Sequence, residues 1–144
     1  MIVSTRGRYA LRVMIDIAEH PNEPYIPLKS IAARQGISEK YLEQIISLLG
    51  KAGFVRSVRG AQGGYLLTKD PSEYTVGAIL RLTEGDLSPV ACVNDDGAGC
   101  DRREGCVTLR VWKQINDAVN NVVDHITLAD MVGWQEEQAD QYVI

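Results

Sequence analysis

A chain of 144 residues, of which 45% are hydrophobic, is long enough to form about one domain with its own buried core. Charged residues interrupt the first 20 positions and no apolar run approaches about 20 residues, so we expect neither a signal peptide nor a membrane span. These features predict a cytoplasmic protein. The odd count of three cysteines argues against a disulfide framework.

The net charge of −4 is unevenly distributed along the chain. Residues 1–74 hold 10 Lys/Arg against 7 Asp/Glu, whereas residues 75–144 hold 5 against 12. A basic first half and an acidic second half suit a nucleic-acid-binding domain followed by a separate regulatory part. The alternative is an ordinary scatter of surface charge.

Three helices are predicted in the first third of the chain. Apolar residues recur at helical spacing over residues 5–20. Pro27 opens a short helix that Gly36 ends, and Ser38 is placed to cap a third helix over about residues 38–51. A short helix, a glycine-containing turn and a second amphipathic helix form the pattern of a helix-turn-helix.

The third helix has two distinct faces. One is an apolar stripe predicted to be buried, which comprises Leu42, Ile45, Ile46 and Leu49. The opposite face carries polar side chains that can hydrogen-bond base edges or phosphates in a major groove, namely Lys40, Glu43, Gln44 and Ser47. A solvated helix face without a partner is the alternative interpretation.

A β-hairpin is predicted directly after this helix. Its strands are residues 54–58 and 65–68, and its tip is glycine-rich. In this position a hairpin is a wing, whose Gly60 and Gly63 let the tip approach a DNA backbone while Arg59 enters a minor groove. The tip lacks the GxxxxGK[ST] pattern and opens no helix, so a nucleotide site is not expected.

The remainder of the chain predicts a helix over residues 76–83 and a long helix over residues 107–124. The long helix carries a wide apolar arc, which packs on its own domain or on a twin helix in a dimer. We favour the dimer because helix-turn-helix proteins usually bind paired half-sites. A short capped turn over residues 127–131 and a polar, frayed tail over residues 133–144 complete the prediction.

Cys92, Cys100 and Cys106 follow the pattern C-x7-C-x5-C in a segment rich in glycine and acidic residues. Such a segment buries too little apolar surface to order itself, so an external group that ties the thiols together would explain their concentration. An iron–sulfur cluster is one explanation. The alternatives are a zinc site, a redox-active thiol and a disordered loop with idle cysteines.

Three stretches, STRGRYALRVM, ISEKYLEQIISLLGKAGFV and SVRGAQGGYLL, closely resemble the Rrf-type family of winged-helix transcription regulators, over roughly residues 1–132. The resemblance implies a homodimer that binds operator DNA. In members of this family, the residues at the positions of Glu43 and Gln44 face bases, and the wing arginine at the position of Arg59 reaches the minor groove. We therefore assign DNA contacts to Lys40, Tyr41, Glu43, Gln44, Arg59, Gly60 and Gly63.

The cysteine pattern is similar to that of the IscR-like and NsrR-like branches of the family, in which three cysteines ligate an iron–sulfur cluster, of the 2Fe–2S or the 4Fe–4S type. Two departures stand out. The first gap is two residues longer than usual, and the positions of the fourth ligand in those branches are here Leu109 and Arg8. The resemblance leaves the fourth position to Asp95, Asp101, Glu104 or a water molecule.

A second hypothesis follows from the CymR-like branch, whose members lack these cysteines and respond to cysteine supply through a complex with O-acetylserine thiol-lyase. Partners of that enzyme insert a C-terminal isoleucine carboxylate into its active site. The apolar end at Ile144 could bind in that way. A frayed tail without a partner is the alternative.

Together these patterns predict a mainly α protein with a small β-hairpin wing, in which a winged helix-turn-helix is joined to a long dimerisation helix. We expect a DNA-binding domain at 1–85, a cysteine loop at 86–106, a dimerisation region at 107–132 and a flexible tail at 133–144. The predicted function is transcription regulation by a repressor that binds palindromic operator DNA. A thiol-dependent redox enzyme is the competing class, and the sequence offers neither a paired base nor a CxxC motif for it.

Overall fold

A computed structural model describes residues 2–60, 63–94 and 101–141. These residues form six α-helices and one two-stranded antiparallel sheet, with short 3-10 turns at 71–73, 91–93 and 103–105. The elements are α1 (Thr5–Ala18), α2 (Leu28–Gln35), α3 (Glu39–Lys51), β1 (Val55–Val58), β2 (Gly64–Leu67), α4 (Val76–Glu84), α5 (Val107–Val123) and α6 (Leu128–Gln141).

The helix-turn-helix is formed by α2 and α3, as the sequence predicted. Gly36 ends α2 in the left-handed region at φ 65°, a conformation that costs a residue without a Cβ little. The Oγ of Ser38 then caps α3 by accepting a hydrogen bond from the backbone N–H of Tyr41 at 3.2 Å. The two caps set the direction in which α3 leaves the turn.

The hairpin of β1 and β2 follows α3 and pairs Val55 with Leu67 and Val58 with Gly64. Ile26, between α1 and α2, adds a single bridge to the hairpin by exchanging two backbone hydrogen bonds with Tyr65, at 2.8 and 2.9 Å. A Cβ on Gly64 would collide with the backbone of Ile26. A glycine at this position therefore allows the hairpin to lie against the helical part of the domain.

The main core lies between α1, α2, α3 and the hairpin, and α6 closes it from one side. Its centre consists of apolar side chains that are almost completely buried, among them Val13, Met14, Ile31, Leu42, Leu49, Ile79 and Leu128. The predicted apolar stripe of α3 is confirmed, because all four of its members are buried. A second, smaller cluster joins α4 to α5 through Val76, Leu80, Leu87 and Val123.

The prediction of a short turn and a frayed tail after residue 127 is wrong for residues up to 141, because α6 continues to Gln141. Thr127 and Asp130 form a reciprocal cap, with hydrogen bonds of 2.9 and 3.1 Å. Leu128 is fully buried, and Met131 and Val132 pack against the core one turn later. Burial of these side chains therefore stabilises the first turns of α6, and the exposed polar turns continue the helix from there.

Tyr74 connects the base of the hairpin to the turn that precedes α6. Its buried hydroxyl donates to the carbonyl of Phe54 at 2.8 Å and accepts from the backbone N–H groups of Thr68 and Lys69, both at 3.1 Å. Its carbonyl accepts from the N–H of Leu128 at 2.9 Å.

No helix within the described ranges has the length and apolar character that crossing a membrane requires.

Candidate nucleic-acid interface and cysteine segment

The outer face of α3 is free for a partner. Lys40, Glu43, Gln44 and Ser47 are all exposed, on the side opposite the buried stripe. These four side chains present one cation, one carboxylate, one amide and one hydroxyl. The set therefore contains both donors and acceptors, which is what reading base edges in a major groove requires.

An open cleft of about 550 Å³ separates α3 from the hairpin. Glu43, Ser47 and Lys51 line it from the helix side, and Arg56 and Ser57 line it from β1. Two cations face a space between a helix and a wing, which suits a phosphate backbone. The sequence pattern does not predict a contact for Arg56, although Arg56 belongs to an acid-free stretch, residues 44–69, that also holds Arg59.

The predicted wing residues lie at the tip of the hairpin. Arg59 is exposed and directly follows β1. Gly60 has φ 142°, and a Cβ on Gly63 would collide with the carbonyl oxygen of Val58. The geometry of the turn therefore requires both glycines. The close approach of the hairpin tip to DNA, which the sequence predicted for them, would be a second role. Ala61 and Gln62 lie outside the described residues.

Tyr41 is the predicted contact residue that is tied most closely to the rest of the domain. Its half-buried ring packs edge-on against the ring of Tyr9 in α1, with centroids 5.8 Å apart and planes at 73°. This geometry is the favourable arrangement of an aromatic pair. Tyr41 therefore fixes the first turn of α3 against α1.

The cysteine segment, residues 92–106, links the region after α4 to the start of α5. Cys92 lies in the 3-10 turn of residues 91–93, which packs against α5, and Cys106 is the N-cap of α5. Both thiols are half-buried and free. Cys100 lies outside the described residues, so the structure does not locate the third predicted ligand.

Cys106 is in an environment that favours a thiolate. A hydrogen bond between its Sγ and the hydroxyl of Thr108, at 3.1 Å, lowers the pKa of the thiol below its usual value. The backbone N–H groups of Leu109 and Thr108 and the charge of Arg102 lower this pKa further. The thiolate is the form of cysteine that ligates metals.

The two positions that carry a fourth ligand in related branches supply none here. Leu109 is an apolar side chain that is 7% exposed, and the guanidinium of Arg8 donates to the hydroxyl of Thr5 at 2.9 Å. Asp101 and Glu104 are exposed, and Asp95 lies outside the described residues. Among the side chains that the structure places, no three His, Cys, Asp or Glu converge on one point.

Comparison with known proteins agrees with the helix-turn-helix and the wing. The model of the Rrf2 family, described as an iron-dependent transcriptional regulator, matches residues 3–133. The chain belongs to the Rrf2 family. It is accordingly a winged-helix transcription regulator, as the fold and the exposed face of α3 had indicated.

Relatives from two branches of the Rrf2 family are similar to this chain over nearly its whole length. The regulator CymR of Bacillus subtilis (strain 168) is 41% identical over 99% of this chain and 98% of its own. The regulator IscR of Serratia proteamaculans (strain 568) is 40% identical over 94% of this chain and 82% of its own. The solved structure of T. potens IscR superposes with a TM-score of 0.77 at 45% identity, covering 96% of this chain and 90% of that one. The sequence identities to CymR and to IscR are therefore too similar to decide which of the two branches this chain belongs to.

Proposed function

We propose that this Rrf2-family regulator is a homodimeric repressor that binds operator DNA through α3 and the hairpin and responds to an iron–sulfur cluster held by the cysteine segment. The observation that carries the DNA-binding part is the arrangement of the exposed face of α3 beside the cleft that Lys51 and Arg56 line. The three cysteines carry the sensing part.

In this proposal the residues of the interface divide into two groups. Glu43 accepts from a cytosine amino group, and Gln44 donates to and accepts from a base edge. Lys40 and Arg59 supply affinity that depends on salt, from phosphates and from the minor groove. Sequence preference therefore resides mainly in α3, whereas the cations position the protein on the duplex.

The apolar face of α5 supports the homodimer. Four of its large side chains are exposed in the single chain, namely Val107 (82%), Val111 (48%), Ile115 (41%) and Val122 (56%). A contiguous apolar face of this kind indicates a protein contact. A two-fold pairing of α5 would bury the same face on both copies and would match a palindromic operator.

The residues of the cysteine segment fit a cluster in their chemistry. Cys92 and Cys106 are free thiols on either side of the segment, and the environment of Cys106 favours the thiolate. Cys92, Cys100 and Cys106 would hold the cluster, which supplies a redox-active, labile group whose gain or loss carries the signal. Because this segment joins α4 to α5, a change in its conformation would shift the spacing of the two α3 helices in a dimer.

Selection of DNA from a random duplex library tests the DNA-binding part of the proposal. The full-length protein should enrich a palindromic site and bind it with an affinity that falls steeply with salt. Failure to retain any duplex at 50 mM salt would exclude the DNA-binding proposal. The same experiment on protein with and without bound iron compares the affinities of the two states.

A second candidate is control by a protein partner, which is supported by the similarity to Bacillus subtilis CymR over 98% of that protein's length. In this alternative Ile144, outside the described residues, binds the active site of O-acetylserine thiol-lyase. Titration of that enzyme with a peptide of residues 135–144 tests it, beside the same peptide ending in Ile144→Glu. Equal or absent binding of the two peptides would exclude this candidate.

A further inference from the structure

We propose that α1 is a third DNA-contacting element, on which Arg8 and Arg12 bind phosphates that flank the bases faced by α3. The inference rests on the proposed DNA-binding function and extends its contact surface beyond α3 and the hairpin. It follows from three features of α1, which are its position beside α3, the held geometry of Arg12 and the absence of a neutralising acid on its exposed face.

The first half of α1 lies directly beside the first turn of α3. The rings of Tyr9 and Tyr41 are in edge-on contact across the two helices. An open cleft at the same junction is lined by Thr5 and Arg6 on α1, by Tyr41 on α3 and by Glu84 on α4. The carboxylate of Glu84 accepts hydrogen bonds from the backbone N–H and the hydroxyl of Ser4. DNA that engages the exposed face of α3 therefore passes close to the N-terminal half of α1.

Arg12 is fixed beside this junction. Its Nε donates to the Oε1 of Gln35 at 3.0 Å, and its Nη2 donates to the backbone carbonyl of Gln35, the last residue of α2. Its guanidinium also lies over the ring of Tyr9, 5.2 Å from the centroid. A guanidinium has five N–H donors, so others remain for a phosphate. Because the side chain is held in place, binding a phosphate would cost little further conformational entropy.

Arg8 lies one turn before Arg12, about 6 Å away along the helix axis. It is exposed, and among the residues that the structure describes its guanidinium hydrogen-bonds only to the hydroxyl of Thr5. Neither arginine takes part in the ion pairs found within residues 2–60, 63–94 and 101–141. The two side chains thus form a short cationic ridge with the spacing of successive helical turns.

The acid on α1 that could neutralise this ridge is occupied elsewhere. Asp16 is 1% exposed and accepts two hydrogen bonds from Arg34, at 3.0 and 2.7 Å, and one from Gln35, at 2.8 Å. Its charge is therefore balanced inside the domain. The exposed face of α1 that carries Arg8 and Arg12 keeps its positive charge, which is complementary to a DNA backbone.

The salt dependence of DNA binding tests this inference. The probes are the 30-bp duplex selected by the wild-type protein and a random-sequence duplex of equal length. Each phosphate contact contributes about 0.9 to the slope of log K against log salt, and a substitution removes the contact from both copies of the proposed homodimer. Arg8→Gln and Arg12→Gln should therefore each reduce the slope by about 1.8, and the double variant by about 3.6. The loss of affinity should be similar on both duplexes, since phosphate contacts carry no sequence information.

The matched control is Lys113→Gln, which removes one positive charge from the exposed surface of α5, away from α1 and α3. Its slope should equal that of the wild type. Arg12→Gln removes the contacts with Gln35 and could therefore unfold the protein. Arg8→Gln removes only one side-chain contact, with Thr5, so this variant still tests the inference if the Arg12 variant does not fold. An unchanged slope in Arg8→Gln and in the double variant would overturn the inference while leaving the proposed function intact. A wild type that binds neither duplex would overturn both.

Discussion

Arg81 on α4 and Asp124 at the end of α5 form a bidentate ion pair, with nitrogen–oxygen distances of 2.5 and 3.0 Å. A further N–H of Arg81 donates to the Oδ1 of Asn120 at 2.9 Å. The pair joins the long helix to the winged helix-turn-helix beside the apolar cluster that contains Leu80 and Val123. In the proposed mechanism it is part of the connection through which a change near α5 would reach the DNA-binding elements.

Removal of this carboxylate should have a small effect on stability that depends on pH. The hydrogen bond from Arg81, and then its charge, lower the pKa of Asp124. The stabilisation is therefore present above the unfolded pKa of about 3.9 and disappears as the pH falls through the lower folded pKa. Asp124→Asn should reduce the free energy of unfolding by about 0.5–1 kcal/mol at pH 7, because the pair is partly exposed and screened by solvent.

Urea unfolding at one protein concentration, followed between pH 7 and pH 3, measures this effect. The difference between wild type and Asp124→Asn should shrink below about pH 4. Asp117→Asn is the control and should match the wild type at each pH, because Asp117 is an exposed carboxylate on α5 that forms no ion pair with any residue the structure describes. A difference for Asp124→Asn that stays constant to pH 3 would show that the ion pair is not its origin.

Tyr74→Phe should loosen the base of the hairpin. The substitution leaves the ring in place but removes the hydroxyl that hydrogen-bonds to backbone groups of Phe54, Thr68 and Lys69. We expect a loss of about 1–3 kcal/mol in the free energy of unfolding, because buried polar groups lose their partners. Amide hydrogen exchange should also become faster at Thr68 and Lys69. Equal exchange in the variant and in wild type would contradict this assignment.

Much of the fold could be predicted because local signals and burial agree. The Ser38 cap, the left-handed Gly36 and the apolar stripe of α3 all indicate the same helix, and the structure has it. The prediction is wrong at α6, because a polar composition after residue 133 indicated a frayed tail whereas the helix continues to Gln141. Burial of Leu128 starts that helix, and the glutamine, glutamate and alanine residues beyond Gly133 favour its continuation.

The candidate site could be predicted only in part, because some of its features depend on tertiary contacts. The exposed face of α3 can be predicted because apolar and polar residues alternate along this helix with helical periodicity. The cleft that includes Arg56 does not, because it depends on the angle between α3 and the hairpin. The contact of Tyr41 with Tyr9 likewise joins residues that are far apart in sequence.

Ile115→Glu should convert the proposed dimer to a monomer. It places a charge in the apolar face of α5, where Ile115 is 41% exposed in the single chain. A buried, unpaired carboxylate at a two-fold contact is strongly unfavourable, and the symmetry places it in both copies. Sedimentation at micromolar concentration measures the change, with Lys113→Glu on another face of α5 as the control. A wild type that sediments as a monomer would contradict the proposed role of this face.

Glu43→Ala should change the sequence preference of DNA binding rather than its general strength. The loss of an acceptor for a base edge should cost about 1–3 kcal/mol at the affected base pair. Binding to a set of duplexes with single substitutions in the selected site measures this, with Lys40→Gln as the comparison. The Lys40 variant should weaken all duplexes similarly. An equal loss for Glu43→Ala on selected and random DNA would contradict base reading by this residue.

The visible absorption spectrum of anaerobically purified protein, measured with its iron and sulfide content, tests the proposed sensor most directly. Wild type and Cys92→Ala are compared, each before and after reconstitution with iron and sulfide. Visible bands accompanied by iron and sulfide in wild type, and lost in Cys92→Ala, are the predicted result. A wild type that stays colourless after reconstitution would contradict the cluster proposal and would favour control through a protein partner.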